Sequence, residues 1–211
     1  TDRWFWPEQI AWLCRHSLSR EEAARRRVAD RLQKDHPWLA APAVVAGDTD
    51  AIIEGCKVAE QDQIDAFIAG WAEQLKVALP RSRQVINWEE AQEMSAAGVS
   101  FGSHSATHRI LTHLDSNEVL CEVERSWKAL REKPVTTVPV FCYPNGDWSA
   151  EVGRLVEAAG YMAATTTEFG CEDRVPSRRF GLKRINIHND VTHTPKLFAF
   201  HLAGYSHRGP R

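Results

Sequence analysis

Residues 87–114 decide the fold of this 211-residue chain, and their sequence is NWEEAQEMSAAGVSFGSHSATHRILTHL. Asn87, followed three residues later by Glu90, predicts the start of a short helix, which Gly98 ends. The residues 99–102 that come next predict a strand. The polar segment 104–108 then follows the strand directly. A helix, a strand and a polar loop in succession are typical of α/β proteins.

The same alternation continues toward the C-terminus. Further strands are predicted at residues 138–142, 161–167 and 184–188, with helices at 116–132 and 148–159 and another that begins near Pro195. Strands and helices that alternate at this spacing indicate an α/β fold with a parallel sheet or barrel. In such folds the active site lies at the C-terminal ends of the strands.

The N-terminal part of the chain has a different pattern, which predicts helices. Ser19 and Glu22 have the spacing of a capping box ahead of a charged helix that ends near His36. A second helical stretch is predicted over residues 48–79, with Asp48 as its cap. We therefore divide the chain into a mainly helical segment or insertion, 1–80, and an α/β barrel portion, 81–211, within one structural domain.

Composition excludes several classes of protein. The chain is 43% hydrophobic and 26% charged with a net charge of −2, so it is typical of a globular protein and has no overall charge that attracts nucleic acid. No apolar run has the length of a transmembrane segment, and the first residues do not resemble a signal peptide. Its five cysteines form no CxxC pair, so a reduced, cytoplasmic compartment is the simpler interpretation. The sequence leaves open whether the protein forms a homo-oligomer. The helical segment could form a lid or a dimer surface, or it could pack against the barrel.

Polar segments follow three of the predicted strands, at residues 104–108, 143–146 and 188–190. His104 and His108 are four residues apart, which places two imidazoles on one side if the chain turns helically after His104. Neutral imidazole is the commonest protein ligand for zinc. Ser105 stands where a zinc metalloprotease has its glutamate, which argues against that class. Spacing alone leaves two interpretations open, a metal site and a pair of ordinary surface histidines.

The segments together resemble the polysaccharide deacetylases, carbohydrate esterase family 4. Residues 87–114 resemble the family's second motif, His-Ser/Thr-x-x-x-His-x-x-Leu. Residues 141–146, FCYPNG, are similar to the third motif in the form FxYPxG, and residues 184–190, RINIHND, are similar to the final motif, which supplies a histidine. The resemblance covers residues 87–204. It implies a distorted (β/α) barrel and hydrolytic removal of N- or O-linked acetyl groups from a polysaccharide or glycan.

Carried over to this chain, the resemblance assigns the chemistry to a few residues. His104 and His108 would bind a divalent metal, usually Zn²⁺, that polarises the acetyl carbonyl and activates water. The backbone N–H of Asn145 would face the oxyanion of the tetrahedral intermediate. His188 would be the general acid that protonates the leaving group, with Asp190 orienting it.

The resemblance also implies a sugar-binding surface next to the metal. Tyr143, Pro144 and Trp148 would line this surface, with Pro144 beginning the turn between the other two. The family's arginine in the third motif, which orients the catalytic base, is replaced in this chain by Cys142.

The family's first motif, an Asp-Asp pair that supplies the base and the third metal ligand, is not found in this sequence. The nearest acids, Asp48 and Asp50, are interpreted as part of a helix cap. The chain thus looks like a deacetylase that lacks its first strands. We expect it to be inactive alone unless His113, His193 or Asp190 completes the site. The alternative function is a non-catalytic relic that binds carbohydrate.

Overall fold

The structure is a computed structural model that describes residues 4–83, 85–188 and 192–205. The chain divides into two compact units, Thr1–Ala91 and Gln92–Arg211, named here the helical unit and the α/β unit. The sequence placed this division earlier, between residues 80 and 81. Whether both parts belong to one structural domain stays a prediction.

Helices make up the helical unit, as the sequence predicted. They are α1 (Trp6–Leu18), α2 (Glu22–Asp35), α3 (Ala41–Ala46), α4 (Thr49–Cys56), α5 (Gln61–Leu75) and α6 (Trp88–Ala96), the last of which continues across the division. The unit's core is apolar, and its largest fully buried side chains include Trp71, Phe67, Ile10 and Leu13. Burial of such side chains removes large apolar areas from water and is the main stabilising contribution here.

Two details of the helical prediction are wrong and one is confirmed. Ser19 does not cap α2, because α1 extends to Leu18 and the Ser19 hydroxyl donates to the carbonyl of His16 at the end of α1. The predicted helix 48–79 is interrupted, since α4 ends at Cys56 and α5 begins at Gln61. Asp48 is the N-cap of α4, with its carboxylate accepting from the Ala51 N–H at 3.0 Å.

A parallel sheet organises the α/β unit. Its strands are β1 (Phe101–Ser103), β2 (Thr137–Cys142), β3 (Ala163–Phe169) and β4 (Leu182–Arg184), and they lie in the order β1-β2-β3-β4. Helix α7 (Ser116–Arg131) connects β1 to β2, α8 (Ala150–Ala158) connects β2 to β3, and α9 (Pro195–Leu202) follows β4. The predicted α/β class with a parallel sheet is confirmed. Closure of the sheet into a barrel stays a prediction.

Local sequence explains where α7 begins and which face it buries. The Asp115 carboxylate accepts from the N–H groups of Asn117 and Glu118, and the Glu118 side chain accepts from the Asp115 N–H, which completes the capping box. One face of the helix is buried against the sheet. Within the described ranges, no helix is both long and apolar enough to span a membrane.

Strand β4 is displaced from its predicted position. It was expected at residues 184–188, but it pairs with β3 only through Leu182 and Arg184. The chain leaves the sheet after Arg184, so His188 lies four residues beyond the strand rather than at its end.

Candidate functional site

The first two polar segments meet at the C-terminal ends of β1 and β2. His104 follows β1 directly, and the parallel register pairs Ser103 with Phe141, one residue before the end of β2. The Nδ1 atom of His104 lies 2.7 Å from the carbonyl oxygen of Cys142. Because a carbonyl only accepts, Nδ1 carries the proton and Nε2 is the atom that presents a lone pair.

The two histidines of the loop lie side by side. The ring centroids of His104 and His108 are 4.8 Å apart, with the ring planes at 79°. Bonds of about 2.0–2.1 Å to a shared zinc ion would keep two imidazole centroids within about 6 Å of each other. The spacing of this pair therefore fits joint binding of one ion, and the hydrogen bond from Nδ1 to a backbone carbonyl is the usual support of a metal-binding histidine.

The loop between the histidines turns through left-handed backbone rather than through the helical turn that the sequence suggested. Ser105 has φ 64° and His108 has φ 66°. Non-glycine residues in this region cost on the order of 1–3 kcal/mol each and persist only when their surroundings impose them. Part of that support is local, since the Ser105 hydroxyl accepts a hydrogen bond from the His108 N–H at 2.8 Å.

Glu122 supports the same loop from helix α7, and sequence reasoning missed it. Only 5% of this residue is exposed. Its carboxylate accepts hydrogen bonds from the N–H groups of Ala106 and Thr107, at 3.0 and 2.8 Å, and from the Thr107 hydroxyl at 2.8 Å. A signal existed, because Glu122 occupies the same helical face as the apolar residues Val119 and Val123.

Cys142 interacts with both His104 and Arg184 of β4. The Nη1 atom of Arg184 lies 3.3 Å from its Sγ atom. A hydrogen bond with His104 is the main cause that lowers the pKa of the Cys142 thiol to about 7, against the effect of burial and with smaller help from Thr165 and Arg184. The same bond raises the pKa of His104. Arg184 of β4 thus brings a guanidinium next to position 142.

The segment after β2 forms a tight 3₁₀ turn, Pro144–Gly146. Asn145 and Gly146 have φ of 59° and 82°, and a Cβ on Gly146 would lie 2.1 Å from the Thr167 hydroxyl oxygen. The Thr167 hydroxyl donates to the Asn145 carbonyl at 3.3 Å. The side-chain NH₂ group of Asn145 donates to the Asp147 carboxylate at 2.7 Å. Asn145 is exposed at the surface. Its backbone N–H as the oxyanion donor stays a prediction.

The structure corrects the prediction for Tyr143 as a sugar-contacting residue. Tyr143 is 1% exposed, its hydroxyl donates to the Phe180 carbonyl at 2.8 Å, and burial raises its pKa. It belongs to the core of the α/β unit, one residue after the end of β2, and Pro144 is buried as well. Trp148 is half-buried and stays a candidate, with the Arg178 guanidinium 5.8 Å from its ring centroid.

The third predicted segment is only partly described. His188 is exposed, and its carbonyl accepts from the Thr192 N–H at 2.8 Å. Asp190 lies outside the described residues, so its predicted orienting role is a prediction still. The search for metal sites covered residues 4–83, 85–188 and 192–205, and in those ranges no three His, Cys, Asp or Glu side chains are grouped as a metal site. Among the described residues, the predicted metal ligands that lie together are therefore His104 and His108.

Comparisons with known proteins agree with this geometry. The family model for polysaccharide deacetylase matches residues 59–164, which is half of the chain and includes the second and third motifs. Among solved structures, the Streptococcus pyogenes deacetylase PplD in complex with acetate matches with a TM-score of 0.50 and 20% sequence identity, over 56% of this chain and 50% of that one. The chain thus spans about half the length of this solved relative, and the likeness concerns the fold. No curated protein matches the sequence.

The family match and the fold point to the same conclusion. The matched residues contain the histidine loop after β1 and the turn after β2, which meet at one edge of the parallel sheet. The chain belongs to the polysaccharide deacetylase family.

Proposed function

We propose that the chain acts in metal-dependent deacetylation, the hydrolytic removal of N- or O-linked acetyl groups from a polysaccharide or glycan. The observation that carries the proposal is the His104–His108 pair, whose rings lie 4.8 Å apart at the C-terminal edge of the sheet. The family match supports the reaction class.

The histidine pair suits a divalent metal, with Zn²⁺ as the first choice because it binds imidazole well. His104 would bind through Nε2, since its Nδ1 donates to the Cys142 carbonyl. When bound, the metal would polarise the acetyl carbonyl and lower the pKa of a water molecule. Two imidazoles are fewer than the three protein ligands that are usual for catalytic zinc, so a further ligand is part of the proposal.

Other residues of the chain would act on the substrate. The Asn145 N–H, in a turn that Thr167 and Gly146 hold tightly, would donate to the oxyanion. The exposed imidazole of His188 would protonate the leaving amine or alkoxide, because histidine is the side chain most often used for such proton transfer. The half-buried ring of Trp148 would offer an apolar face to the sugar.

Zn²⁺ binding by the 211-residue chain tests the metal site. We expect isothermal titration to give one bound Zn²⁺ per chain. The variants His104→Ala and His108→Ala should each weaken binding more than about 100-fold, because loss of a ligand should exceed the 10–100-fold effect typical of an outer-shell residue. His16→Ala is the matched control, since His16 lies in α1 of the helical unit. Equal binding by all variants would contradict the proposal.

Release of acetate from acetylated chito-oligosaccharides tests the reaction. Release that requires Zn²⁺ and decreases about 100-fold or more in His188→Ala would support deacetylation with His188 as the general acid. Binding of Zn²⁺ and oligosaccharide with no release of acetate would instead support the alternative, a carbohydrate-binding relic of the family.

A further inference from the structure

We propose that Glu122 is a positioning residue, whose buried carboxylate holds the loop between His104 and His108 in the geometry that binds metal. The inference rests on the proposed function for the part that concerns the metal. The part that concerns the loop stands on the contacts of Glu122 alone.

All three hydrogen bonds described for the Glu122 carboxylate come from the loop. One oxygen accepts from the Ala106 and Thr107 N–H groups, at 3.0 and 2.8 Å, and the other accepts from the Thr107 hydroxyl at 2.8 Å. Ala106 and Thr107 are the central residues between the two histidines. The carboxylate therefore fixes the middle of the loop in both position and direction.

Packing does not account for a glutamate at this position. Val119 and Val123 lie on the same face of α7 and are 1% and 0% exposed, so the face is part of the core. Burial of a carboxylate costs free energy that an apolar side chain would not cost, unless hydrogen bonds offset it. At Glu122 all of the offsetting bonds described go to the loop. A role in holding the loop explains a residue that packing alone disfavours.

The backbone of the loop shows why such support is needed. Ser105 and His108, with φ of 64° and 66°, lie on either side of Ala106 and Thr107. Left-handed conformations of this kind relax unless the surroundings impose them. The hydrogen bonds of Glu122 fix the two amides between the strained residues, so they hold both strained positions and, with them, the distance between the two imidazoles.

Helix α7 makes a second connection to the strand that precedes the loop. Ser126 is one helical turn after Glu122, and its hydroxyl lies 2.5 Å from the hydroxyl of Ser103, the residue before His104. The helix thus contacts the chain on both sides of His104. The site would depend on α7, which contributes no metal ligand.

The decisive variant is Glu122→Gln, which keeps the size of the side chain. Its neutral carboxamide oxygen accepts more weakly than a carboxylate from the Ala106 and Thr107 N–H groups, and its NH₂ group can keep the Thr107 contact only if that hydroxyl turns to accept. We expect the Ala106 and Thr107 amides to exchange with solvent about tenfold faster or more in NMR hydrogen exchange, since opening of the loop becomes easier. We also expect Zn²⁺ affinity, measured with the metal alone, to fall about 10–100-fold, as for other residues that orient a ligand.

Val123→Ala is the matched control for a general loss of stability. Val123 is adjacent to Glu122, is fully buried and should leave a cavity in the core without removing a loop contact. We expect it to lower the melting temperature and to keep the Zn²⁺ affinity of the unchanged chain. If Val123→Ala and Glu122→Gln weaken Zn²⁺ binding equally at equal loss of stability, the positioning role is overturned.

Thr107 provides a milder pair of variants in case Glu122→Gln does not fold. Thr107→Val removes only the hydroxyl donor to Glu122, and Thr107→Ser restores it. Faster amide exchange and weaker Zn²⁺ binding in Thr107→Val, rescued in Thr107→Ser, would support the inference, and no difference between the two would overturn it. Absence of Zn²⁺ binding by the unchanged chain would refute the proposed function instead, and amide exchange would still decide whether Glu122 holds the loop.

Discussion

The two units of the chain differ in how their cores treat polar groups. Among the described residues, the buried polar side chains of the helical unit are Gln9 and Ser17, and the Ser17 hydroxyl has no hydrogen-bond partner there. The buried Trp71 indole N–H of the same unit is also without a described partner. In the α/β unit the buried polar residues all take part in hydrogen bonds, and they are Ser103, Glu122, Ser126, Thr166 and His201.

The difference distinguishes a core that only packs from a core that also positions a site. In the helical unit, the Ser17 hydroxyl and the Trp71 N–H are buried among apolar contacts without a described partner, so their removal should cost little, whereas the Gln9 side chain donates to the Trp4 carbonyl. In the α/β unit, Ser103, Glu122 and Ser126 connect α7 to β1 and to the histidine loop. Apolar side chains at these positions could not make those hydrogen bonds. Three predictions test this contrast.

The largest effect is expected in the core of the helical unit. Trp71→Ala should lower the free energy of unfolding by about 3–5 kcal/mol, because it removes a fully buried indole and leaves a cavity. Trp71→Phe should cost much less, since it keeps an aromatic ring and removes the unpartnered N–H. Denaturant unfolding followed by circular dichroism measures both. A cost for Trp71→Phe as large as that for Trp71→Ala would show that the N–H has a partner that stabilises the unit.

A smaller effect should separate two buried serines. Ser126→Ala should lower the free energy of unfolding by about 1–3 kcal/mol, because the Ser103 hydroxyl would lose its buried partner. Ser17→Ala, at a fully buried position in α1, should be neutral or slightly stabilising because its hydroxyl makes no described bond. The same unfolding experiment compares the two. If both variants lower the free energy of unfolding equally, the proposed difference between the two cores is contradicted.

The smallest effect concerns reactivity rather than stability. Cys14 and Cys56 of the helical unit are buried, while Cys121 and Cys171 of the α/β unit are exposed. Burial raises the pKa of Cys56 to about 12, so its thiolate is scarce at neutral pH. We expect a thiol reagent at pH 8 to modify Cys121 and Cys171 quickly and the buried pair only after unfolding. Rapid modification of Cys56 in the folded chain, located by peptide mass spectrometry, would show that the helical core opens readily.

Sequence patterns predicted those parts of the molecule that depend on neighbours along the chain. The caps at Asp48 and Asn87 were predictable, and are confirmed, because each involves a side chain and a backbone N–H within three residues. The parallel sheet followed from the alternation of strands and helices. The false capping box at Ser19 has the same local origin, since the pattern did not reveal that α1 would extend to Leu18.

Features that depend on contacts between distant segments were not predictable in this way. Glu122 lies fifteen and sixteen residues from the amides that it binds, and Arg184 lies forty-two residues from Cys142. The burial of Tyr143 depends on the position of Phe180, which no local pattern indicates. The sequence therefore indicated that the His104 loop and the Pro144 turn follow neighbouring strands, and it did not indicate the contacts that Glu122 and Arg184 make there.

Ser105 and His108 both have left-handed backbone conformations. Selection of variants for folding and selection for Zn²⁺ binding should therefore favour different residues at these positions. Glycine adopts this conformation more readily than serine or histidine, because it has no Cβ. A library of variants sorted for folding alone should therefore enrich glycine at both positions. A library sorted for retention of Zn²⁺ should keep histidine at 108 despite its conformational cost. A different preferred residue at position 108 in the two libraries would show that histidine is kept there for Zn²⁺ binding at a cost in folding stability.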